Sequence, residues 1–192
     1  LANLPDLKKI GLYQCQLSEF PEQLYHLGKL EELDLSYQEE QPGLTIKQPL
    51  PTLKTLQLNA NFGANIQVAL PNLQDLSMRN CSLKEFPESI LGCKKLKKLD
   101  LSLNRNMLDF PAAIENFQQL REFRFTMNNH KPANFDHLNK LPKLDKLWVQ
   151  LPFGPPAWFL DILHIEHWTE LYVEGTLDNP AIWREMLKRK KL

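Results

Sequence analysis

Residues 96–104 read LKKLDLSLN, with apolar side chains at Leu96, Leu99 and Leu101 and polar ones between them. The skeleton is apolar, two residues, apolar, one residue, apolar. Towards the N-terminus it returns as Leu73-Leu76-Met78, Leu53-Leu56-Leu58, Leu30-Leu33-Leu35 and Leu7-Ile10-Leu12. Towards the C-terminus it returns as Leu120-Phe123-Phe125, Leu144-Leu147-Val149 and Trp168-Leu171-Val173. The steps between first members are 23, 23, 20, 23, 24, 24 and 24 residues, and all 24 slots are apolar. A unit this short cannot bury its own apolar face, so successive units must stack into one continuous core. The pattern predicts an α/β repeat solenoid over residues 1–176, with about eight parallel strands side by side.

These residues resemble the leucine-rich repeat family, whose consensus runs LxxLxLxxNxL. LKKLDLSLN (96–104) and LQDLSMRNCSL (73–83) match it best. The resemblance covers roughly Leu4 to Thr176, and the repeats are similar to those of bacterial leucine-rich proteins and plant intracellular immune receptors. It implies a curved horseshoe with a parallel sheet on the concave side and irregular or short-helical segments on the convex side. The consensus asparagine slot holds Cys15, Gln38, Asn61, Cys81, Asn104, Asn128, Pro152 and Thr176. Asn, Cys or Thr is the family norm there, because a small polar side chain can bond backbone groups left bare as the strand turns away. Gln38 and Pro152 depart from the norm, so the consensus leaves the turns after the second and seventh strands undefined.

Between strands, three units share an FP element: Phe20-Pro21-Leu24, Phe86-Pro87-Ile90 and Phe110-Pro111-Ile114. Proline favours extended backbone or a first helical position. The aromatic should fill the core, with the Leu or Ile packing from the outer side. The stretches 37–51, 61–71 and 127–142 lack the element and are expected to be irregular loops. PPAWFLDIL (155–163) reads as a short helix opened by proline, with Trp158, Phe159, Ile162 and Leu163 at core spacing.

Residues 177–192 break the repeat. Asp178 and Asn179 are candidate N-caps, Pro180 opens a helix, and Ile182, Trp183, Met186 and Leu187 make an apolar stripe suited to capping the last repeat. The basic run Lys188 to Lys191 complements the helix dipole. No comparable cap precedes Leu4, and the chain starts at Leu1 inside a repeat. It is therefore expected to be a piece of a longer protein.

Lys plus Arg and Asp plus Glu both number 23, so the net charge is zero. That disfavours bulk electrostatic capture of nucleic acid or an anionic membrane. No apolar run approaches the ~20 residues that span a bilayer. Cys15 and Cys81 occupy the asparagine slot, and Cys93 a core position three residues before Leu96, so all three read as structural. Secreted members of the family often carry disulfide-paired end caps. Their absence from this pattern points to a reducing, cytoplasmic setting. No P-loop, GxGxxG, GxSxG or HExxH is present. His164-Ile165-Glu166-His167 is the nearest approach to a metal site, its two histidines spaced for one helical face, but it reads as surface residues on a loop, and the Asn80-Cys81-Ser82 sequon falls on the structural slot. The expectation is a non-catalytic module with no cofactor and no metal.

That leaves the concave face. Side chains alternate along a strand, so residues between the apolar slots point outward in three columns. The central column is Gly11, Asp34, Gln57, Ser77, Asp100, Arg124, Trp148 and Tyr172. Beside it run Tyr13, Ser36, Asn59, Arg79, Ser102, Thr126, Gln150 and Glu174, and on the other flank Lys9, Glu32, Thr55, Asp75, Lys98, Glu122, Lys146 and Glu170. Tyr13, Asp34, Gln57, Arg79, Asp100, Arg124, Trp148 and Tyr172 are the candidate contacts for a protein partner. Exposed rings beside arginine are the usual composition of interface anchors. The alternative is that the loop Leu151 to Trp158 covers Trp148 and Tyr172. Eight strands at ~4.8 Å give a sheet of roughly 440 Å², about half the ~800 Å² each partner buries in a standard interface.

Overall fold

The computed structural model describes residues 4–38, 43–176 and 179–190. Among them run ten strands: β1 (Lys9–Gly11), β2 (Glu32–Asp34), β3 (Thr45–Ile46), β4 (Thr55–Gln57), β5 (Asn65–Ile66), β6 (Asp75–Ser77), β7 (Lys98–Asp100), β8 (Glu122–Thr126), β9 (Lys146–Leu151) and β10 (Glu170–Gly175). Eight form one parallel sheet in the order β1-β2-β4-β6-β7-β8-β9-β10, one strand per repeat. The middle apolar slots pair in register from Ile10 through Leu33, Leu56, Leu76, Leu99, Phe123 and Leu147 to Leu171. The sheet lines the concave side of a curved solenoid.

The apolar ladder is the core. In the six inner repeats every slot is at most 1% exposed, whereas Leu7, Ile10 and Leu12 at one end and Leu171 and Val173 at the other are half-buried. Phe20, Phe86 and Phe110 are buried, and Leu24, Ile90 and Ile114 behind them are fully so. Each FP element opens a 3-10 turn: Glu22–His26, Glu88–Gly92 and Ala112–Asn116. The proline carbonyls accept the N–H of Leu24, Ile90 and Ile114 at 2.9, 3.0 and 3.0 Å. Proline has no N–H to leave unpaired at this position, and its carbonyl starts the turn.

The three stretches expected to be irregular are more ordered than that. Within 37–51 and 61–71, β3 and β5 pair in parallel as a second sheet, burying Ile46 and Ile66. Adjacent repeats that both lack a proline turn satisfy their backbone by pairing with each other. The approach is close, since a Cβ on Gly43 would run into the Phe62 carbonyl. The third stretch holds a 3-10 turn, Phe135–Lys140, with Phe135 and Leu138 buried. Residues 159–164 form another, burying Phe159, Ile162 and Leu163.

The asparagine slot decides how each strand ends. Asn104 is buried. Its Nδ2 donates to the carbonyls of Met78 (2.8 Å) and Leu101 (3.0 Å), and its Oδ1 accepts from Cys81 (2.9 Å) and Leu83 (3.1 Å). Gln38 does the same work with a longer reach. Its Nε2 donates to Leu12, Leu35 and Ser36 carbonyls at 2.6, 3.2 and 3.1 Å, and its Oε1 accepts from Leu17 at 2.9 Å. The residue before the slot is left-handed in the first five repeats: Gln14, Tyr37, Ala60, Asn80 and Leu103. Cys81 is buried with its thiol on the Leu58 carbonyl, and burial pushes that thiol up to about 11. Burial also raises the Cys93 thiol. Cys15 departs from the expected structural role: its side chain is exposed, with the thiol 3.5 Å from the Tyr13 carbonyl.

Helix α1 (Pro180–Lys190) packs on the turn 159–164, with Ile182 against the core. Asn179 caps it, its Oδ1 accepting the Ala181 N–H at 2.9 Å. Asp178, Lys191 and the side chains of Trp183, Met186, Leu187, Arg189 and Lys190 lie outside the described residues.

Candidate concave binding face

The strand register places the central column on one line, from Gly11 through Asp34, Gln57, Ser77, Asp100, Arg124 and Trp148 to Tyr172. Its last three members form a layered stack. The Arg124 guanidinium carbon lies 4.2 Å from the Trp148 ring centroid, and Trp148 and Tyr172 stack at 3.9 Å and 10°. Trp148 is therefore covered on both faces by its neighbours on β8 and β10, and it is half-buried rather than a free anchor. Tyr172 keeps 39% exposure. Among the described residues the indole Nε1 of Trp148 is buried without an acceptor, an arrangement that folded proteins rarely leave in place.

Carboxylates on the flank fix the stack. Glu122, 9% exposed, accepts from Arg124 Nη2 at 2.5 Å and Nε at 2.7 Å, and Asp100 stands 4.0 Å from the same guanidinium. Glu170 accepts the Tyr172 hydroxyl at 2.7 Å and pairs with Lys146 at 2.8 Å. Lys146 and then Tyr172 hold the Glu170 carboxyl below its usual range, and the bond to Glu170 pushes the Tyr172 phenol up. Burial raises the Asp75 carboxyl.

Apart from Asp100, the other candidates do not gather at this stack. Asp34 and Asp100 each commit an oxygen to the N–H of Ser36 and Ser102, both at 2.9 Å. Gln57 lies between two shallow hollows, one of about 290 Å³ beside Gly11 and Asp34 and one of about 190 Å³ beside Asp100 and Arg124. Tyr13 sits at the far end against Tyr37, ring centroids 5.1 Å apart. Arg79 reaches Ser102 Oγ at 3.1 Å and Glu174 at 3.5 Å. Ser36, Ser102 and Thr126, expected to be open, are buried. Their hydroxyls serve the fold: Ser36 accepts the Asn59 N–H and Thr126 the Leu103 N–H.

Similarity to known proteins agrees with the geometry. The Leucine Rich Repeat family profile matches residues 72–93. The volume-regulated anion channel subunits LRRC8B of Mus musculus and Homo sapiens are each 33% identical over 159 residues, 74% of this chain and 19% of theirs. The chain thus spans about a fifth of the length of these relatives. An internalin (inlF) from Listeria monocytogenes superposes with a TM-score of 0.64 at 16% identity, over 96% of this chain and 53% of that one. The repeats of this chain are leucine-rich repeats in sequence pattern and in fold. A plant peptide hormone receptor, RGFR1 in complex with RGF2, shares the fold at a TM-score of 0.51 and 19% identity, over 92% of this chain and 30% of that one.

Within this leucine-rich-repeat sheet, sequence reasoning missed Glu122, Glu170 and Glu174 as members of the site. Glu122 and Glu170 stand two residues before Arg124 and Tyr172 on the same strand, hence on the same face, and that spacing was available to find them. Elsewhere, His164, Glu166 and His167 are exposed, and among the described residues no group of three or more His, Cys, Asp or Glu could hold a metal. No described helix is long and apolar enough to cross a membrane.

Proposed function

We propose that this chain is a non-catalytic protein-binding module that takes a protein partner on its concave face, in a cytoplasmic setting. The observation that carries the reading is the Arg124–Trp148–Tyr172 stack, a preorganised cation-and-ring platform at the open C-terminal third of the sheet. Rigid rings and arginine dominate interface energetics because they bury large area at small entropic cost. The peptide hormone receptor of the same fold is bound to RGF2, a use of the fold in keeping with this reading. The unpaired, buried thiols of Cys81 and Cys93, both raised by burial, suit a reducing compartment.

The test is a pull-down from native lysate followed by titration calorimetry with the captured protein. Trp148→Ala and Arg124→Ala should each weaken binding by about tenfold or more, while Lys47→Ala and Glu115→Ala on the convex side leave it unchanged. Loss of binding from the convex changes alone would put recognition on the opposite face. A second reading rests on coverage: because the chain spans 19% of its channel-subunit relatives, it can serve as a regulatory segment packing on a neighbouring domain. Capture of that domain, supplied in trans, would separate this from a foreign partner.

A further inference from the structure

Arg79, Ser102, Thr126, Gln150 and Glu174 occupy one row on five successive repeats. On a flat sheet, four strand steps of ~4.8 Å would separate Arg79 from Glu174 by about 19 Å. Yet Nη2 of Arg79 lies 3.5 Å from Oε1 of Glu174. The curvature lets two long side chains close an arch across the trough, over Ser102 and Thr126, which are 3% and 7% exposed. Its two poles are unequal. Arg79 is fixed, with Nη1 donating to Ser102 Oγ at 3.1 Å and its backbone N–H to Asn59 Oδ1 at 3.1 Å. The Glu174 side chain is 58% exposed against 36% for Arg79. Exposed ion pairs of this kind contribute little to stability, so a competing carboxylate can replace Glu174 readily.

We propose that Glu174 holds the place of a partner's carboxylate. The preferred partner is then an extended segment whose Asp or Glu side chain displaces Glu174 and pairs with Arg79. This rests on the concave-face reading above and adds the chemistry of the ligand. A guanidinium already oriented by Ser102 offers a directional fork that matches a carboxylate. The arch narrows the trough, so an extended chain reaches its floor where the flat surface of a folded domain does not. The exposed Tyr172 ring in the adjoining column lies ready for an apolar residue beside the acid.

The test uses the whole chain to select from a phage library of random dodecapeptides fused through their C-termini. Acid-bearing peptides should be enriched, and their synthetic amidated forms should bind. Arg79→Gln should weaken them by about tenfold or more, as loss of a charge-paired contact does. Glu174→Gln should tighten them by about two- to fivefold, since only a weak exposed pair is removed. The double exchange Arg79→Glu/Glu174→Arg keeps the arch, with folding checked by circular dichroism, and should turn the selection towards Lys- and Arg-bearing peptides. It carries the test if Arg79→Gln does not fold. Basic or neutral sequences on the parent, no enrichment, binding of free-acid peptides only, or unchanged selection by the double exchange would each overturn the proposal. If Trp148→Ala abolishes peptide binding while the arch variants behave as parent, the arch fails and the concave-face reading stands. If Trp148→Ala is also without effect, both fail.

Discussion

In the second to fifth repeats each sheet strand is three residues long and is followed by a left-handed residue. In the last three it runs to five or six residues, and Gly175 is the one described residue there with positive φ directly before the asparagine slot. The slot explains the difference. Gln38, Asn61, Cys81 and Asn104 are buried, and their side chains bond the backbone as the chain turns off the sheet. Asn128 reaches only the Met107 carbonyl, at 3.5 Å, and its own carbonyl accepts from the Trp158 indole at 2.9 Å. Pro152 has no side-chain donor. Where the slot cannot cap the turn, the strand pairing runs further: β8 pairs with β9 as far as Thr126 and Gln150, and β9 with β10 as far as Leu151 and Gly175. A side chain on Gly175 would meet the Leu151 carbonyl, so the late strand end needs glycine. The wider sheet is the part that carries Arg124, Trp148 and Tyr172, above a core of edge-on and stacked Phe110, Phe123, Phe125 and Phe135. The uncapped turns and the candidate binding platform are therefore one feature of the fold.

The largest effects should come from the ladder itself, where the two regions behave alike. Phe123→Ala in the wide region should cost about 3–5 kcal/mol and Leu99→Ala in the narrow one about 2–5 kcal/mol, both as buried truncations that neighbouring repeats cannot refill. Denaturant midpoints measure both, and an unchanged midpoint for Leu99→Ala would contradict the register. The regions should part company at the slot. Asn104→Ala strands the N–H groups of Cys81 and Leu83 and the carbonyl of Met78, at about 1–3 kcal/mol for even one such group. Asn128→Ala should stay within about 0.5 kcal/mol. Equal costs would mean that the slot does not set the length of the strand before it.

Much of this was legible in the sequence. The apolar slots fix the register, and alternation then orders the concave columns residue by residue, as at Trp148 and Tyr172. The FP turns and the Asn179 cap follow from the lack of an N–H on proline and the short acceptor of asparagine. What escaped depends on neighbours. Gln38 serves as a slot residue because its extra methylene carries the amide across to Leu12 and Leu17. The β3–β5 pair needs two adjacent repeats to lack proline turns together. Burial of Ser102 and Thr126, and the meeting of Arg79 with Glu174, arise from curvature accumulated over several repeats, which no single repeat encodes.

A smaller effect probes the left-handed residues of the narrow region. Ala60 sits at φ 50°, where a Cβ costs roughly 1–2 kcal/mol and glycine loses only unfolded-state entropy. Ala60→Gly should therefore be neutral or stabilise by up to about 1 kcal/mol, seen as a raised melting temperature. A clear loss of stability would show that the Ala60 methyl, half-buried beside Asn61, packs for more than its backbone strain costs.

The smallest effect lies where the regions join, on the convex side between the fifth and sixth repeats. Asp109 accepts the Ala133 N–H at 2.7 Å and lies 3.3 Å from His130 Nε2. Glu115 accepts from Lys140 at 2.6 Å and lies 3.1 Å from His137. The Ala133 N–H, then His130, hold the Asp109 carboxyl below its ordinary range, and Lys140, then His137, do so for Glu115. A carboxyl depressed in the folded state stabilises above its unfolded pKa, and that contribution is lost as pH falls through the folded pKa. The parent should hold its melting temperature from neutral pH down to about 5 and lose it below about 4, where carboxylates ordinarily titrate. The double variant Asp109→Asn/Glu115→Gln should melt slightly lower at neutral pH and show a flatter acid limb, so the two curves converge in acid. Both carboxyls face solvent, so the gap between the curves is narrow. Curves that run parallel into acid would mean that packing alone joins the narrow region to the wide one.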